Sequence, residues 1–211
     1  MTTKKIRQKE VKILTVSDSS HKVRVGFAIT GSFCTFSTVI EQLKQLAAQP
    51  DWEITPIMSP NAYSTDTRFG SAEHFREQMT QICSHDILHT IAQTEPIGPK
   101  KLLDLLIVAP CTGNTLGKLA NGITDTCVTL AVKAHLRNAR PVLLAVSTND
   151  ALANSAQNIG SLFNSKHIFF VPMRQDNAQD KPTSIVADFS QLLPAAKAAL
   201  NAKQLQPVLL G

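Results

Sequence analysis

The residues best suited to bind a ligand follow the apolar run Leu102–Val108. This run has the length and branching of a buried parallel strand, and we expect it to end at Pro110, which cannot donate to a sheet ladder. The polar segment Thr112–Thr115 comes next, and apolar residues then recur at helical spacing. Free N–H groups at the start of a helix favour anions and polar ligand edges. An ordinary strand-to-helix turn, with Asn114 or Thr115 as its N-cap, explains the same pattern without a ligand.

Three further polar segments follow other apolar runs. They are Thr30-Gly31-Ser32, the long loop that Ser59 opens and that contains Arg68, and Ser147-Thr148-Asn149. The carboxyl ends of parallel strands meet at one edge of a sheet, so these segments should converge there. Simpler roles are a surface salt bridge or a carbonyl contact for Arg68, and a helix cap for Asp150, which follows the last segment.

The order of apolar runs and helical patterns predicts a doubly wound α/β fold with a mostly parallel, Rossmann- or flavodoxin-like sheet and helices on both faces. One domain should cover residues 23–211. The predicted strands are Val23–Thr30, Trp52–Met58, Leu102–Val108, Pro141–Val146 and His167–Val171; the clearest helices cover about 71–83, 124–136 and 184–202, with a short strand or helix at 85–91 and a polar loop at 174–183.

The net charge of +5 is concentrated at the N-terminus. Residues 1–24 hold seven lysines and arginines against two carboxylates, whereas the rest of the chain is balanced. We therefore predict a flexible basic arm or a vector-derived leader over residues 1–22, where Val11, Ile13 and Val16 could also form a short edge strand. We expect no nucleic-acid surface on the body. Because no apolar run reaches membrane-spanning length and the N-terminus lacks a hydrophobic signal, we expect a cytoplasmic protein.

The four cysteines, Cys34, Cys83, Cys111 and Cys127, lack zinc-type spacing. We expect them to be reduced and mostly buried, with no metal site. Cys34 and Cys111 fall in candidate ligand loops, where they could touch a cofactor or serve only as small apolar filler.

The predicted pocket offers hydroxyls, amides and backbone donors, but no obvious nucleophile–base pair. Gly31 lets a ligand approach the backbone, and Ser32 can donate to a phosphate. The missing glycines of a dinucleotide fingerprint, and the absence of a Walker lysine loop, favour a flat monophosphorylated cofactor such as FMN.

The segment Ala109–Thr115, followed by Lys118, Ala120, Asn121, Gly122 and Asp125, resembles the signature of the flavoprotein family, over about residues 23–200. This family contains FMN-dependent cysteine decarboxylases and flavin prenyltransferases. The resemblance implies that the FMN phosphate lies near Gly31 and Ser32 and the flavin near Ser59. It also implies that Ser147–Asn149 form the far side of the pocket. The cofactor-binding residues so implied are Gly31, Ser32, Ser59, Pro110, Thr112, Asn114, Thr115, Ser147 and Thr148.

Further motifs resemble one subgroup of this family, namely Thr65–Gly70, Glu95–Lys101, Ser147–Leu152 and the tail Lys203–Pro207. That subgroup implies a homo-oligomeric subunit that works with an NAD(P)-binding partner on a small dicarboxylate, in the mother cell of a sporulating bacterium. The catalytic histidine of the decarboxylases falls at Pro96, and of their Pro-x-Met-Asn motif only Asn149 is retained.

Arginine offers carboxylates a bidentate fork, so we predict that Arg68 contacts a substrate carboxylate or the flavin. Asn149 would donate a second hydrogen bond. The alternatives to a two-subunit oxidoreductase are a stand-alone FMN-dependent decarboxylase or prenyltransferase, and a non-catalytic scaffold with a degenerate pocket.

Overall fold

The computed structural model describes residues 22–211. The predicted basic arm and its alternative edge strand therefore lie outside the described residues, apart from Lys22. Within the described part, no helix is both long and apolar enough to cross a membrane.

Five parallel strands form the centre of the molecule, in the order β2-β1-β3-β4-β5. The strands are β1 (Val23–Ile29), β2 (Trp52–Met58), β3 (Leu105–Cys111), β4 (Val142–Thr148) and β5 (Ile168–Phe170). The order reverses between β1 and β3, which creates the crevice where doubly wound sheets bind ligands. The predicted fold class is confirmed.

The strand β3 differs from its prediction because it continues through Pro110 to Cys111. All seven residues are buried, and the pairing with β4 shifts between Val108 and Cys111. An irregular register is one of the places where a sheet tolerates a residue that lacks an N–H. The expectation that the strand ends at Pro110 was therefore wrong.

A β-hairpin replaces the predicted polar loop at 174–183. It consists of β6 (Met173–Asn177) and β7 (Lys181–Ala187), which pair antiparallel, and β7 also pairs antiparallel with the end of β4 at Ser147 and Thr148. Most of β6 is exposed, so it shows no alternation of apolar and polar residues. This strand pair also shortens the predicted last helix.

Helices cover both faces of the sheet. They are α1 (Phe36–Ala47), α2 (Pro60–Ser64), α3 (Ala72–Cys83), α4 (Ile91–Thr94), α5 (Gly113–Ala120), α6 (Cys127–Leu136), α7 (Ala156–Phe163) and α8 (Leu192–Leu200). The segment 85–90 forms neither helix nor strand, although Leu88 bridges to Ile57. Two buried apolar clusters, one on each face, hold the layers together.

The edge of β5 is covered by the C-terminal tail. The side-chain amide of Gln204 accepts from the Phe170 N–H at 2.8 Å and donates to the Phe170 carbonyl at 2.7 Å. Leu209 then bridges to Met173. The tail thus occupies backbone groups that would otherwise form an open sheet edge.

Candidate functional site

The first part of the site is the turn that follows β1. The buried Thr30 hydroxyl donates to the Pro110 carbonyl at 2.7 Å and accepts from the Thr112 N–H at 3.3 Å. These bonds join the ends of β1 and β3. Ser32 has a φ of 67°, and its Oγ lies 2.7 Å from Ser147 Oγ. The turn therefore reaches the end of β4 as well.

The second part of the site is the start of α5. Thr112, rather than Asn114 or Thr115, is the N-cap, because its Oγ1 accepts from the Thr115 N–H at 3.4 Å. Asn114 is exposed in the first turn. Position 113 needs a glycine because α5 packs closely against β4 there: a Cβ would lie 2.6 Å from Thr148 Oγ1.

Two clefts flank this helix start. The first, which we call the switch-point cleft, lies between the ends of β1 and β3 and has a volume of about 320 Å³. It is lined by Thr30, Gly31, Ser59, Pro60, Asn61, Thr112, Asn114, Thr115, Lys118 and Thr126. The Ser59 side chain also caps α2 by accepting from the Ala62 N–H at 3.3 Å.

The second cleft lies under the hairpin, and we call it the hairpin cleft. Its volume is about 840 Å³. It is lined by Ser32, Cys34, Thr35, Thr112, Gly113, Asn114, Ser147, Thr148, Asn149, Asp150, Asp176, Lys181, Ser184, Ile185 and Val186. Both volumes fall within the roughly 300–1,000 Å³ common for small-molecule sites. Thr112 and Asn114 border both clefts.

Asp150 holds the end of β4 in place and does not cap α7. Its carboxylate accepts from Thr148 Oγ1 at 2.5 Å and from Ser155 Oγ at 2.9 Å. The N-cap of α7 is Ser155, which makes no side-chain capping bond. The expectation that Asp150 caps this helix was wrong, because the carboxylate is already occupied by two hydroxyls.

The cations that line the clefts are already paired with carboxylates. Lys181 Nζ lies 2.8 Å from Asp176 Oδ2, and this contact raises the pKa of Lys181. Lys118 Nζ lies 2.9 Å from Asp125 Oδ1 and lowers the pKa of that carboxyl. Among the described residues that line the clefts there is thus no unpaired cation, while Asp150 adds a carboxylate.

The structure brings together nearly all of the residues that the sequence singled out. Gly31, Ser32, Ser59, Thr112, Asn114, Thr115, Ser147, Thr148 and Asn149 line one or both clefts. Pro110 is buried in β3 and accepts from Thr30 through its carbonyl. Arg68 does not line either cleft of its own chain; it is exposed, and its guanidinium lies 4.8 Å from the centre of the Phe69 ring.

The hairpin residues Asp176, Lys181, Ser184 and Ile185 were missed by sequence reasoning. The segment contains Ser184–Ala187, which is apolar enough to be a strand, but the pattern was assigned to the following helix. Pairing with β4 is a long-range contact that local patterns do not encode.

The cysteines divide by burial. Burial raises the pKa of the Cys83, Cys111 and Cys127 thiols, to about 12 for Cys83 and about 11 for Cys127, so these three are inert filler as expected. Cys34 is exposed and borders the hairpin cleft, which corrects the expectation that it is apolar filler. No cluster of three or more potential metal ligands occurs within residues 22–211.

The donor set of the switch-point cleft fits a phosphorylated, hydrogen-bonding cofactor. Hydroxyls of Ser59, Thr112 and Thr115, the Asn114 amide and the first N–H groups of α5 face a narrow crevice where the strand order reverses. Ser32 adds a hydroxyl at the border with the hairpin cleft. This chemistry is compatible with FMN.

The chain belongs to the Flavoprotein family, whose model matches residues 13–200. It is 41% identical, over 186 residues, to the B subunit of dipicolinate synthase from Bacillus subtilis, covering 88% of this chain and 92% of that protein. A crystal structure of the dipicolinate synthase B subunit from Bacillus halodurans is also 41% identical, with a TM-score of 0.82 over 90% of this chain and 96% of that one. The FMN-dependent cysteine decarboxylase SpaF shares the fold at 20% identity, with a TM-score of 0.63 over 86% of this chain and 98% of that one.

Proposed function

We propose that this chain is the flavoprotein-type B subunit of a dipicolinate synthase. It would act with the NAD(P)-binding subunit of the same synthase to convert dihydrodipicolinate to dipicolinate during sporulation. The observation that carries the proposal is the 41% identity to a dipicolinate synthase B subunit over nearly the whole length of both chains. The motifs at Thr65–Gly70 and Ser147–Leu152 lie within this similar region.

The cofactor that the clefts suit best is FMN. Gly31 and Ser32 would hold its phosphate, with Ser59 across the crevice, and Thr112, Asn114 and Thr115 would meet the ribityl chain and the ring edge. FMN, when bound, supplies a hydride acceptor.

The reaction removes one hydride and one proton from the substrate ring. The hydride acceptor is either this flavin or the nicotinamide held by the NAD(P)-binding subunit, and the residues of this chain are compatible with both. Their part is to position the substrate: Asn149 would donate a hydrogen bond, and Arg68 would contact a carboxylate. Since Arg68 does not line a cleft of its own chain, such a contact requires the cleft of another chain.

Decarboxylation of a cysteine is a poorer proposal for this chain. Pro96 stands where the decarboxylases have their catalytic histidine, and proline cannot transfer a proton. It lies in a short 3₁₀ turn, Glu95–Ile97, before β3. The segment Val146–Asn149 keeps only the asparagine of the Pro-x-Met-Asn motif.

Titration with FMN tests the cofactor site. We expect saturable binding by the wild type, and clearly weaker binding by the double variant Ser32→Ala/Asn114→Ala, because each side chain contributes a hydrogen bond to the ligand. The exposed pair Asn154→Ala/Ser161→Ala on the α7 side is the matched control. Equal affinity of the wild type and the site variant would overturn the assignment.

An assay of dipicolinate formation tests the two-subunit function. Product should form from dihydrodipicolinate only when this chain and the NAD(P)-binding subunit are both present. Turnover by this chain alone would favour a stand-alone enzyme. The two subunits together could also form product at the same rate with and without FMN, and with the wild type or the Ser32→Ala/Asn114→Ala variant. That result would favour a scaffold role for this chain.

A further inference from the structure

A third concave surface lies outside both clefts, on the outer side of α5 and α6. This surface, which we call the α6 groove, has a volume of about 420 Å³. Its floor is apolar and consists mainly of Leu119, Ile123, Val132, Leu136 and Ile168. Ile123 is 46% exposed, so it offers apolar surface to an occupant of the groove.

Two cations form the rim of the groove. Lys133 lies on α6 and Arg137 is the residue that caps its C-terminus, so the two side chains are one helical turn apart on the same face. Both are exposed, and among the described residues neither has a carboxylate within 4 Å. By contrast, Lys118 in the adjoining helix α5 is paired with Asp125, and Arg140, which follows α6, is paired with Asp104.

From this geometry we infer that the α6 groove binds a segment of the NAD(P)-binding subunit that presents one large apolar side chain and carboxylates about one helical turn apart. The apolar floor would bury the apolar side chain, and the rim would pair with the carboxylates. The inference rests on the proposed function in one respect, namely that this chain works with a second subunit.

Charge argues against the chain's own N-terminal arm as the occupant. Residues 1–21 contain five lysines and arginines against two carboxylates. A basic arm would be repelled by Lys133 and Arg137, whereas an acidic segment is attracted to them.

The groove is directly linked to the candidate site through α5. Lys118 and Thr126 line the switch-point cleft, while Leu119 and Thr124 line the groove. Neighbouring residues of one short helix and the loop after it therefore face the two surfaces. A partner bound in the groove would therefore lie beside the switch-point cleft.

The test is the affinity of the full-length chain for the purified NAD(P)-binding subunit, measured by titration calorimetry at two salt concentrations. Charge reversal in Lys133→Glu/Arg137→Glu should weaken binding by about tenfold or more and reduce its salt dependence, because rim charges set electrostatic attraction. The matched control is Lys197→Glu/Lys203→Glu, two exposed lysines on the α8 side. Ile123→Ser should weaken binding at both salt concentrations.

Each outcome decides a separate point. Unchanged affinity of the Lys133/Arg137 and Ile123 variants would overturn the inference while leaving the proposed function intact. A change in the oligomeric state of this chain alone, caused by the same variants, would assign the groove to a second copy and also overturn it. Absence of any binding by the wild type would overturn the proposed function itself. An unchanged Tm shows that the variants are folded.

Discussion

At the scale of single residues, the site depends on side chains that hold one another as much as on those free to bind a ligand. Thr30 joins β1 to β3, Ser32 meets Ser147 across the sheet edge, and Asp150 holds Thr148. Such bonds fix hydroxyl positions before a ligand arrives, which lowers the entropy lost on binding. The exposed side chains of Asn61, Asn114, Asn149 and Cys34 line the clefts and are free to meet a ligand.

Arg68 provides the first prediction at this scale. Arg68→Lys keeps the positive charge but loses the bidentate fork, so it should lower kcat/KM for the dicarboxylate in the two-subunit assay while changing the Tm little. Arg76 is the control, because its guanidinium also stacks on an aromatic ring, 4.9 Å from the centre of Tyr63, and its Nη1 donates to the Tyr63 carbonyl. Arg76→Lys should lower the Tm without altering the kinetics. A lower Tm with unaltered kinetics in Arg68→Lys would show that Arg68 is structural.

His135 provides a prediction about pH. It is buried, and burial lowers its pKa to about 4, while its Nε2 donates to the Pro141 carbonyl at 3.0 Å and Arg140 further disfavours the charged ring. The unfolded chain has the ordinary pKa near 6.5, so between about pH 4 and 6.5 it binds more protons than the folded chain. Stability should therefore fall as the pH is lowered through that window, by up to about 3 kcal/mol in total.

Denaturant unfolding at pH 7.5, 6 and 5 measures this effect. His135→Gln should reduce the loss of stability between pH 7.5 and 5, since the amide does not titrate. The exposed His74→Gln should leave the pH dependence as in the wild type. Identical pH profiles for the wild type and His135→Gln would contradict the assignment.

At the scale of elements, the start of α5 is packed against the end of β4 with no space between them. A Cβ on Gly113 would lie 2.6 Å from Thr148 Oγ1, 2.8 Å from Asp150 Oδ1 and 2.9 Å from Ser155 Oγ. Both hydroxyls donate to the Asp150 carboxylate, so the three groups have little freedom to move. The helix start, and with it Thr112 and Asn114, is therefore positioned by β4.

This packing predicts opposite effects for two glycines of the same helix. Gly113→Ala should destabilise the protein by about 1–3 kcal/mol through overpacking and weaken FMN binding. Gly117→Ala should be neutral or stabilise by up to about 1 kcal/mol, because its Cβ would meet only Asn158 Nδ2 at 3.5 Å and alanine favours helix. Free energies of unfolding for both variants check this prediction. Equal values would show that the groups around Gly113 move aside at no cost.

At the scale of the whole molecule, several large apolar side chains are exposed. Leu209 is 65% exposed and Leu152 is 52% exposed, and Ile91, Phe163 and Phe69 are exposed to a lesser extent. The apolar helix α6, in contrast, contributes Val128, Ala131 and Val132 to the core of its own chain. The apolar composition of α6 therefore gives no support for self-association, and the exposed residues are the relevant feature.

We predict that the chain is a homo-oligomer that buries part of this surface. Sedimentation at micromolar concentration should give a mass that is a multiple of one chain. The double variant Leu152→Ser/Phe163→Ser should dissociate more readily, because it removes exposed apolar surface that association would bury. A single monomeric species for the wild type at that concentration would contradict the prediction.

The amino-acid sequence determined much of this architecture by itself. The order of strands and helices follows from local apolar periodicity, and the bounds of β2 were predicted to the residue. The polar segments at Ser32, Thr112 and Ser147 had to meet, because the carboxyl ends of parallel strands share an edge. Similarity of motifs indicated the flavoprotein family, which the family match confirms.

Only the tertiary structure decided which side chains face a cleft. The hairpin β6–β7 is held by pairing with the distant β4, and its exposed strand carries no local signal. The same pairing places Lys181 and Asp176 in the hairpin cleft, whereas Arg68 lies outside both clefts of its chain. Thr112 became the N-cap because β3 continues through Pro110 to Cys111, one residue before it. Local sequence patterns specify elements, but long-range packing decides which of their residues meet.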